Sequence, residues 1–198
     1  MQKLSYKECT GGIELVYNIE TPLCNEEVKK LRAGDIVNIS GIIYTARDAA
    51  HKRMIGMLEE GKSLPFDIRD QIIYYVGPCP AKPGEVIGSA GPTTSGRVDA
   101  YTPKLVELGL RGMIGKGLRD NCVVEAMKKY GAVYFGAIGG AGALIAKTIV
   151  HEEIIAFPDL GTEALRKLTV KEFPVTVIID SLGNNLYETG KKMFRQTK

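Results

Sequence analysis

Tryptophan is absent from this sequence, histidine occurs only twice and cysteine only four times in 198 residues. The cysteines, Cys9, Cys24, Cys79 and Cys122, are widely separated and form no C-x-x-C pair. Neither a zinc knuckle nor a local iron–sulfur ligand set is therefore written in the chain. They read as free thiols, and Cys79, in Gly77-Pro78-Cys79-Pro80, as an inert small apolar residue. No apolar run approaches the ~20 residues that a membrane span needs. The start, Met1 to Lys7, lacks the apolar core and small-residue cleavage site of a secretory leader, so a cytoplasmic protein is expected. A net charge of +3 is too small to mark a nucleic-acid surface, and the nine Tyr and five Phe are not interleaved with basic clusters. No low-complexity linker breaks the chain.

What is present is the composition of a globular protein, 44% hydrophobic and 25% charged, long enough to bury a real core as one domain over residues 1–198. Ile13 to Ile19 has strand character, and Ile36 to Tyr44 is a stronger, largely apolar strand covered on both faces. From Arg47 to Glu60 the pattern turns helical, with Ala50, Met54, Met57 and Leu58 on one face and Gly61 as the stop. Ser63 to Asp67 reads as a turn with a short helical piece, and Gln71 to Gly77 as a strand. Thr102-Pro103 starts a helix, with Thr102 as N-cap, that Gly109 ends. Next come a strand Gly112 to Ile114, a helix Asp120 to Tyr130 stopped by Gly131, and a strand Ala132 to Ile138. This alternation predicts parallel βαβ units. Strands near Ile149 to Phe157, carrying a structural His151, and Val175 to Asp180 complete the sheet, and Lys191 to Lys198 reads as a frayed end.

The chemistry concentrates in Gly88 to Asp99, with four hydroxyl side chains, three glycines and Arg97 within twelve residues. Such a stretch makes a poor core but a good anion cradle, because glycines let backbone N–H groups turn inward and a guanidinium grips a carboxylate through paired bonds. An ordinary surface turn is the competing interpretation. Arg47 and Asp48 lie at a strand-to-helix junction, where α/β folds place ligands. Asp48 suits a first helical turn on structural grounds alone, whereas an arginine there is electrostatically misplaced unless something negative accompanies it. His51 shares the face of Arg47; it either reaches the same site or is a buried histidine satisfied by backbone. Lys116, between Gly115 and Gly117 at a strand end, suits a charge presented to a ligand. Two nucleotide motifs fail on spacing. Leu110 stands where a phosphate loop's first glycine belongs, and Ile145 where the third glycine of the dinucleotide fingerprint belongs.

Three groups together, Thr45-Ala46-Arg47-Asp48-Ala49-Ala50-His51, Gly91-Pro92-Thr93-Thr94-Ser95-Gly96-Arg97 and Gly115-Lys116-Gly117, resemble the β subunit or C-terminal domain of the class I fumarase and L(+)-tartrate dehydratase family, from about Gly34 to Glu188. The resemblance implies a swivelling β/β/α three-layer domain with a mostly parallel central sheet and a second antiparallel layer. It implies an iron–sulfur hydro-lyase, fumarate hydratase first and L(+)-tartrate dehydratase as the alternative. The [4Fe-4S] cluster would be carried by a partner α subunit in a hetero-oligomer, in which this chain can also pair with its own copy. Carried over residue by residue, Arg47, Arg97 and Lys116 bind substrate, Thr93 removes the proton, and Asp48, His51 and Gly96 support them. A lone threonine needs cationic surroundings or a relay to act as a base. From a different class, the same loop would serve a non-catalytic anion-binding module. Under either interpretation Arg47, Arg97 and Lys116 are expected to converge on an open cationic cleft at the C-terminal edge of the sheet.

Overall fold

The computed structural model describes residues 3–9 and 12–195. Eight strands, β1 (Lys3–Cys9), β2 (Gly12–Glu20), β3 (Ile36–Thr45), β4 (Ile72–Tyr74), β5 (Gly112–Gly115), β6 (Val133–Gly136), β7 (Ile149–Ala156) and β8 (Leu165–Ile179), form one sheet in the order β1-β2-β3-β4-β5-β6-β8-β7. The run β2 to β6 is parallel, while β1, β7 and β8 pair antiparallel to their neighbours.

The apolar runs at β4, β5 and β6 are buried on both faces, and their alternation sorts side chains into two cores. Ile72, Tyr74, Val76, Ile114, Val133 and Phe135 point into one core. Ile73, Tyr75, Met113 and Tyr134 point into the other, where they meet the helices α2 (Asp48–Glu59), α3 (Thr102–Glu107) and α4 (Asn121–Tyr130) through Ala50, Met54, Leu105, Val106, Val123 and Met127. Each Val, Leu, Ile, Phe or Met side chain among them, taken out of water, contributes about 1.5–3 kcal/mol before entropy is counted. Helix α4 stops at Gly131, whose φ of 75° is the left-handed conformation that glycine adopts without strain. The expected βαβ units are present, since α2 connects parallel β3 and β4, and α4 connects parallel β5 and β6.

The three-layer expectation needs correcting, because the antiparallel strands are not a separate layer. β3 also pairs with β8, from Ile36 opposite Thr176 to Thr45 opposite Arg166, so β3, β4, β5, β6 and β8 close into a five-stranded ring. The 15 residues of β8 serve β7 with the first half and β6 with the second. Between those halves the register with β3 slips, Ile39 facing Phe173 and Gly41 facing Val170. Glu172 there takes a φ of 51°, and its N–H is held by Ser40 Oγ at 3.0 Å. A bulge of this kind bends a strand and raises its twist, which is what closure of the ring requires. This is why β8 begins ten residues earlier than the expected Val175: Lys171, Glu172 and Pro174 break the apolar run but sit at or beside the bulge.

Other boundaries also move. Ser63–Asp67 holds no helical turn. Thr102 does not cap α3; Tyr101 is the N-cap residue, and the Thr102 hydroxyl donates to Val98 O at 2.9 Å. Short helices α1 (Asn25–Val28) and α5 (Gly142–Ala146) lie where none was expected. So does α6 (Leu186–Phe194), whose N-cap Asn185 accepts the Tyr187 N–H; it takes in Lys191 and Lys192 of the supposed frayed tail, while residues 196–198 lie outside the described ones. His151 sits on β7, solvent-exposed, opposite Thr169. No described helix is long and apolar enough to cross a membrane.

Candidate functional site

Because β3, β4, β5 and β6 are parallel, the segments that follow them emerge along one edge of the sheet. Arg47 follows β3, Tyr75 to Gly77 follow β4, and Lys116 follows β5. The Gly88–Asp99 stretch is tied into that same edge. Thr93 donates twice to Tyr75 O, from its N–H and from Oγ1, both at 2.8 Å. Its own carbonyl accepts the Lys116 N–H at 3.2 Å, Thr94 bridges Lys116 in parallel, and Ser95 N–H donates to Lys116 O at 2.9 Å. Residues 93–95 thus lie as an extra short strand across the ends of β4 and β5.

Beneath this strand is a polar anchor. Ser95 is buried, and its Oγ lies 2.9 Å from Tyr134 Oη, which donates to Gly117 O at 3.0 Å. Gly115 must lack a side chain, since a Cβ there would overlap Ser95 Oγ. The next residues form a 3-10 turn, Ser95–Val98, that carries Gly96 and Arg97 outward. Arg97 is exposed, as is Lys116, whose chain lies close against Gly139; neither has an ion-pair partner among the described residues. Two unpaired cations beside a hydroxyl-rich strand are what an anion site requires.

Arg47 occupies the N-cap position of α2 with an extended backbone. Its side chain is only 20% exposed and passes over Gly77, where any Cβ would lie 2.8 Å from one terminal nitrogen. Its other terminal nitrogen lies 3.4 Å from Glu163 and 3.6 Å from Asp48, and its Nε is buried without a hydrogen-bond partner. An unpartnered buried donor is costly, and a ligand oxygen would relieve it. His51 stands behind Arg47. It is fully buried, and its Nδ1 lies 2.9 Å from Arg47 O, so Nδ1 carries the proton and Nε2 is left bare. Desolvation lowers its pKa from 6.5 to about 4; the backbone bond opposes that fall and the Arg119 charge adds to it. The histidine is therefore neutral and holds the arginine's backbone, the second of the two roles open to it from the sequence.

Arg119, Asp99 and Glu163 were missed by sequence reasoning. Arg119 Nε donates to Asp99 Oδ1 at 2.7 Å, out of solvent, and its guanidinium lies over the Tyr75 and Tyr134 rings. One signal could have found it, since an arginine just before the N-cap of α4 is as misplaced electrostatically as Arg47 before α2. No local pattern marks Glu163.

A cavity of about 550 Å³ is lined by Cys79, Lys82, Val86, Ser89, Ala146 and Ile149 among others. Arg47, Thr93, Arg97 and Lys116 do not line it; they lie on segments that follow β3 and β5 or are bonded across the ends of β4 and β5. Cys79 is exposed at that cavity, not buried as an inert apolar residue would be. Cys24 and Cys122 are also free and exposed, and no group of three or more His, Cys, Asp or Glu that could hold a metal occurs among the described residues. These side chains do not fit a resident iron–sulfur cluster.

Residues 6–190 match the family model described as Fumarase C-terminus. The chain is 40% identical over 181 residues to the putative L(+)-tartrate dehydratase subunit beta of Methanocaldococcus jannaschii, an alignment covering 88% of this chain and 93% of that one. It is 40% identical over 154 residues to the anaerobic class I fumarate hydratase of Escherichia coli, covering 77% of this chain but 28% of that one. It is 37% identical over 188 residues to the putative class I fumarate hydratase of Geobacillus stearothermophilus, covering 92% of this chain and 36% of that one. The chain thus spans about a third of these fumarate hydratases and nearly all of the beta subunit.

Proposed function

The chain belongs to the fumarase C-terminus family, and from that premise we propose that it is the β subunit of a cytoplasmic hydro-lyase that adds water to fumarate to give L-malate. It would act only with a partner α subunit. The observation that carries this reading is the pairing of two unpartnered exposed cations, Arg97 and Lys116, with Thr93 on one strand-end edge that Arg47 also borders. A four-carbon dicarboxylate has two anionic ends, and a set of three cations can grip both.

In this reading Arg97 and Arg47 clamp the carboxylates and Lys116 contacts a carboxylate or hydroxyl oxygen. The clamp fixes the reacting carbon against the Thr93 strand and removes the entropic cost of orientation from the chemical step. Thr93 already donates its hydroxyl proton to Tyr75 O, so its Oγ1 presents lone pairs outward. In the dehydration direction Thr93, with the stabilising charges of Arg97 and Lys116 beside it and its own hydroxyl proton passed to a base of the partner subunit, would take the proton from the carbon next to the carboxylate; in hydration it would return that proton to carbon. A [4Fe-4S] cluster held by the α subunit would supply Lewis-acid pull on the hydroxyl that enters or leaves.

Dehydration of L(+)-tartrate is the second reading, favoured by the near-complete overlap with a tartrate dehydratase beta subunit. The two substrates differ by hydroxyl groups, so the choice rests on contacts to those groups. Anaerobic reconstitution with the partner subunit, assayed with fumarate, L-malate and L(+)-tartrate, tests both. Fumarate hydration supports the first and oxaloacetate from tartrate the second. Dicarboxylate binding without turnover of any of the three would leave an anion-binding module.

A further inference from the structure

Resting on the dicarboxylate reading, we propose that Glu163 is a positioning residue that aims Arg47 while weakening its grip, so that a dianionic product can leave. Glu163 ends the 3-10 segment Pro158–Glu163 and reaches α2 from outside. Its Oε2 accepts the Ala49 N–H at 3.0 Å in the first turn of that helix, and its Oε1 lies 3.4 Å from the Arg47 guanidinium. The first contact fixes the carboxylate and the second sets the charge beside Arg47. Both side chains are mostly shielded, 22% and 20% exposed, so solvent screens the pair only partly.

The other arginines with carboxylate partners show what is unusual here. Arg53 binds Asp159 through two bonds of 2.8 Å, and Arg119 donates to Asp99 at 2.7 Å. Those guanidiniums are engaged by hydrogen bonds. Arg47 has two carboxylates nearby, at 3.4 and 3.6 Å, but donates to neither, and its Nε has no partner. Its charge is balanced while its donors stay free. An incoming carboxylate can therefore take the hydrogen bonds, but meets a guanidinium whose charge is already partly neutralised.

Glu163→Gln separates the two roles, because the amide oxygen still accepts the Ala49 N–H while the charge is gone. In the assembled enzyme KM for the dicarboxylate should fall about fivefold, the scale of one partly screened ion pair, and kcat should fall as product release slows. The dissociation constant of succinate for the full chain alone, by calorimetry, should fall by a similar factor. Asp159→Asn, which removes a carboxylate from the same segment but one that pairs with Arg53, should change neither. A merely structural Glu163 would raise KM or lower Tm, and could not tighten binding. A Glu163→Gln chain with succinate affinity and KM within twofold of the parent, or weaker, overturns the proposal alone. A parent chain that binds no succinate sinks the dicarboxylate reading and this proposal with it.

Discussion

Arg119 and Asp99 form an ion pair 2.7 Å long with side chains 0% and 3% exposed, joining the 3-10 turn that carries Arg97 to the segment between β5 and α4 that begins at Lys116. Every other strong group of the pair is also used. Asp99 Oδ2 accepts the Asp120 N–H at 2.6 Å, and Arg119 donates to Thr102 Oγ1 at 2.9 Å. Burying two charges is repaid only when geometry and hydrogen bonds are this complete, so the pair fixes one arrangement of the two exposed cations.

Removing one member should therefore cost far more than removing both. Asp99→Ala leaves a buried guanidinium uncompensated and should lower stability by about 3–5 kcal/mol in chemical denaturation. Asp99→Leu combined with Arg119→Met should recover much of that loss while activity of the assembled enzyme stays low, because the Arg97 turn is no longer held. A loss below about 1 kcal/mol for Asp99→Ala would show that the pair is not what anchors the turn.

Arg97 itself is exposed and unpaired, so its removal should leave folding untouched. Arg97→Ala should lower kcat/KM of the assembled enzyme at least ~100-fold, the scale of a contact to charge in the transition state. Its Tm should match that of the parent. Unchanged kinetics would take Arg97 out of the site.

Gly115 tests the seating of the Thr93 strand. A Cβ there would overlap Ser95 Oγ and come within 2.9 Å of the Tyr75 ring. Gly115→Ala should cost about 1–3 kcal/mol of stability, as overpacking does, and should displace residues 93–95 from the strand ends. Adding Ser95→Gly removes the first overlap and should return part of that stability. Equal stability of the single and double variants would argue that Ser95 is not what Gly115 accommodates.

His51 predicts a pH dependence of known sign. Its folded pKa, about 4, lies below the ordinary 6.5, chiefly because burial disfavours the charged form. Its contribution is thus fully present above pH 6.5, and is lost as pH falls towards 4, since the unfolded chain takes up the proton first. Between pH 7 and pH 5 the loss should be about 2 kcal/mol. Urea titrations of His51→Gln across that range should show this slope removed; an unchanged slope would place the titrating group elsewhere.

Local features of the sequence were enough to determine much of this protein. The alternation of strands and helices after Gly112 marked a parallel βαβ unit, and Gly131 marked the end of α4. The expected covering of Ile36–Tyr44 on both faces was not met, since alternate residues of β3 stay only half-buried. The candidate residues Arg47, Thr93–Arg97 and Lys116 stood out by local residue type, a guanidinium at a helix start and hydroxyls, glycines and cations at strand ends, with an ordinary turn as the competing interpretation of the loop. All of these signals act within a few residues, through backbone preference, side-chain period and local charge. What tertiary structure alone decided joins residues far apart in the chain. β8 bends at Glu172 and closes the ring against β3, over 120 residues away in sequence, and nothing near Pro174 reveals that the strand runs through it. Glu163 meets Arg47, and Asp99 meets Arg119, only because parallel strands deliver their C-terminal ends to one edge and the closed ring sets 3-10 segments beside helix starts. Charges of opposite sign are common along any chain. Which of them pair, and which are left free for a ligand, depends on distances that only the folded sheet imposes.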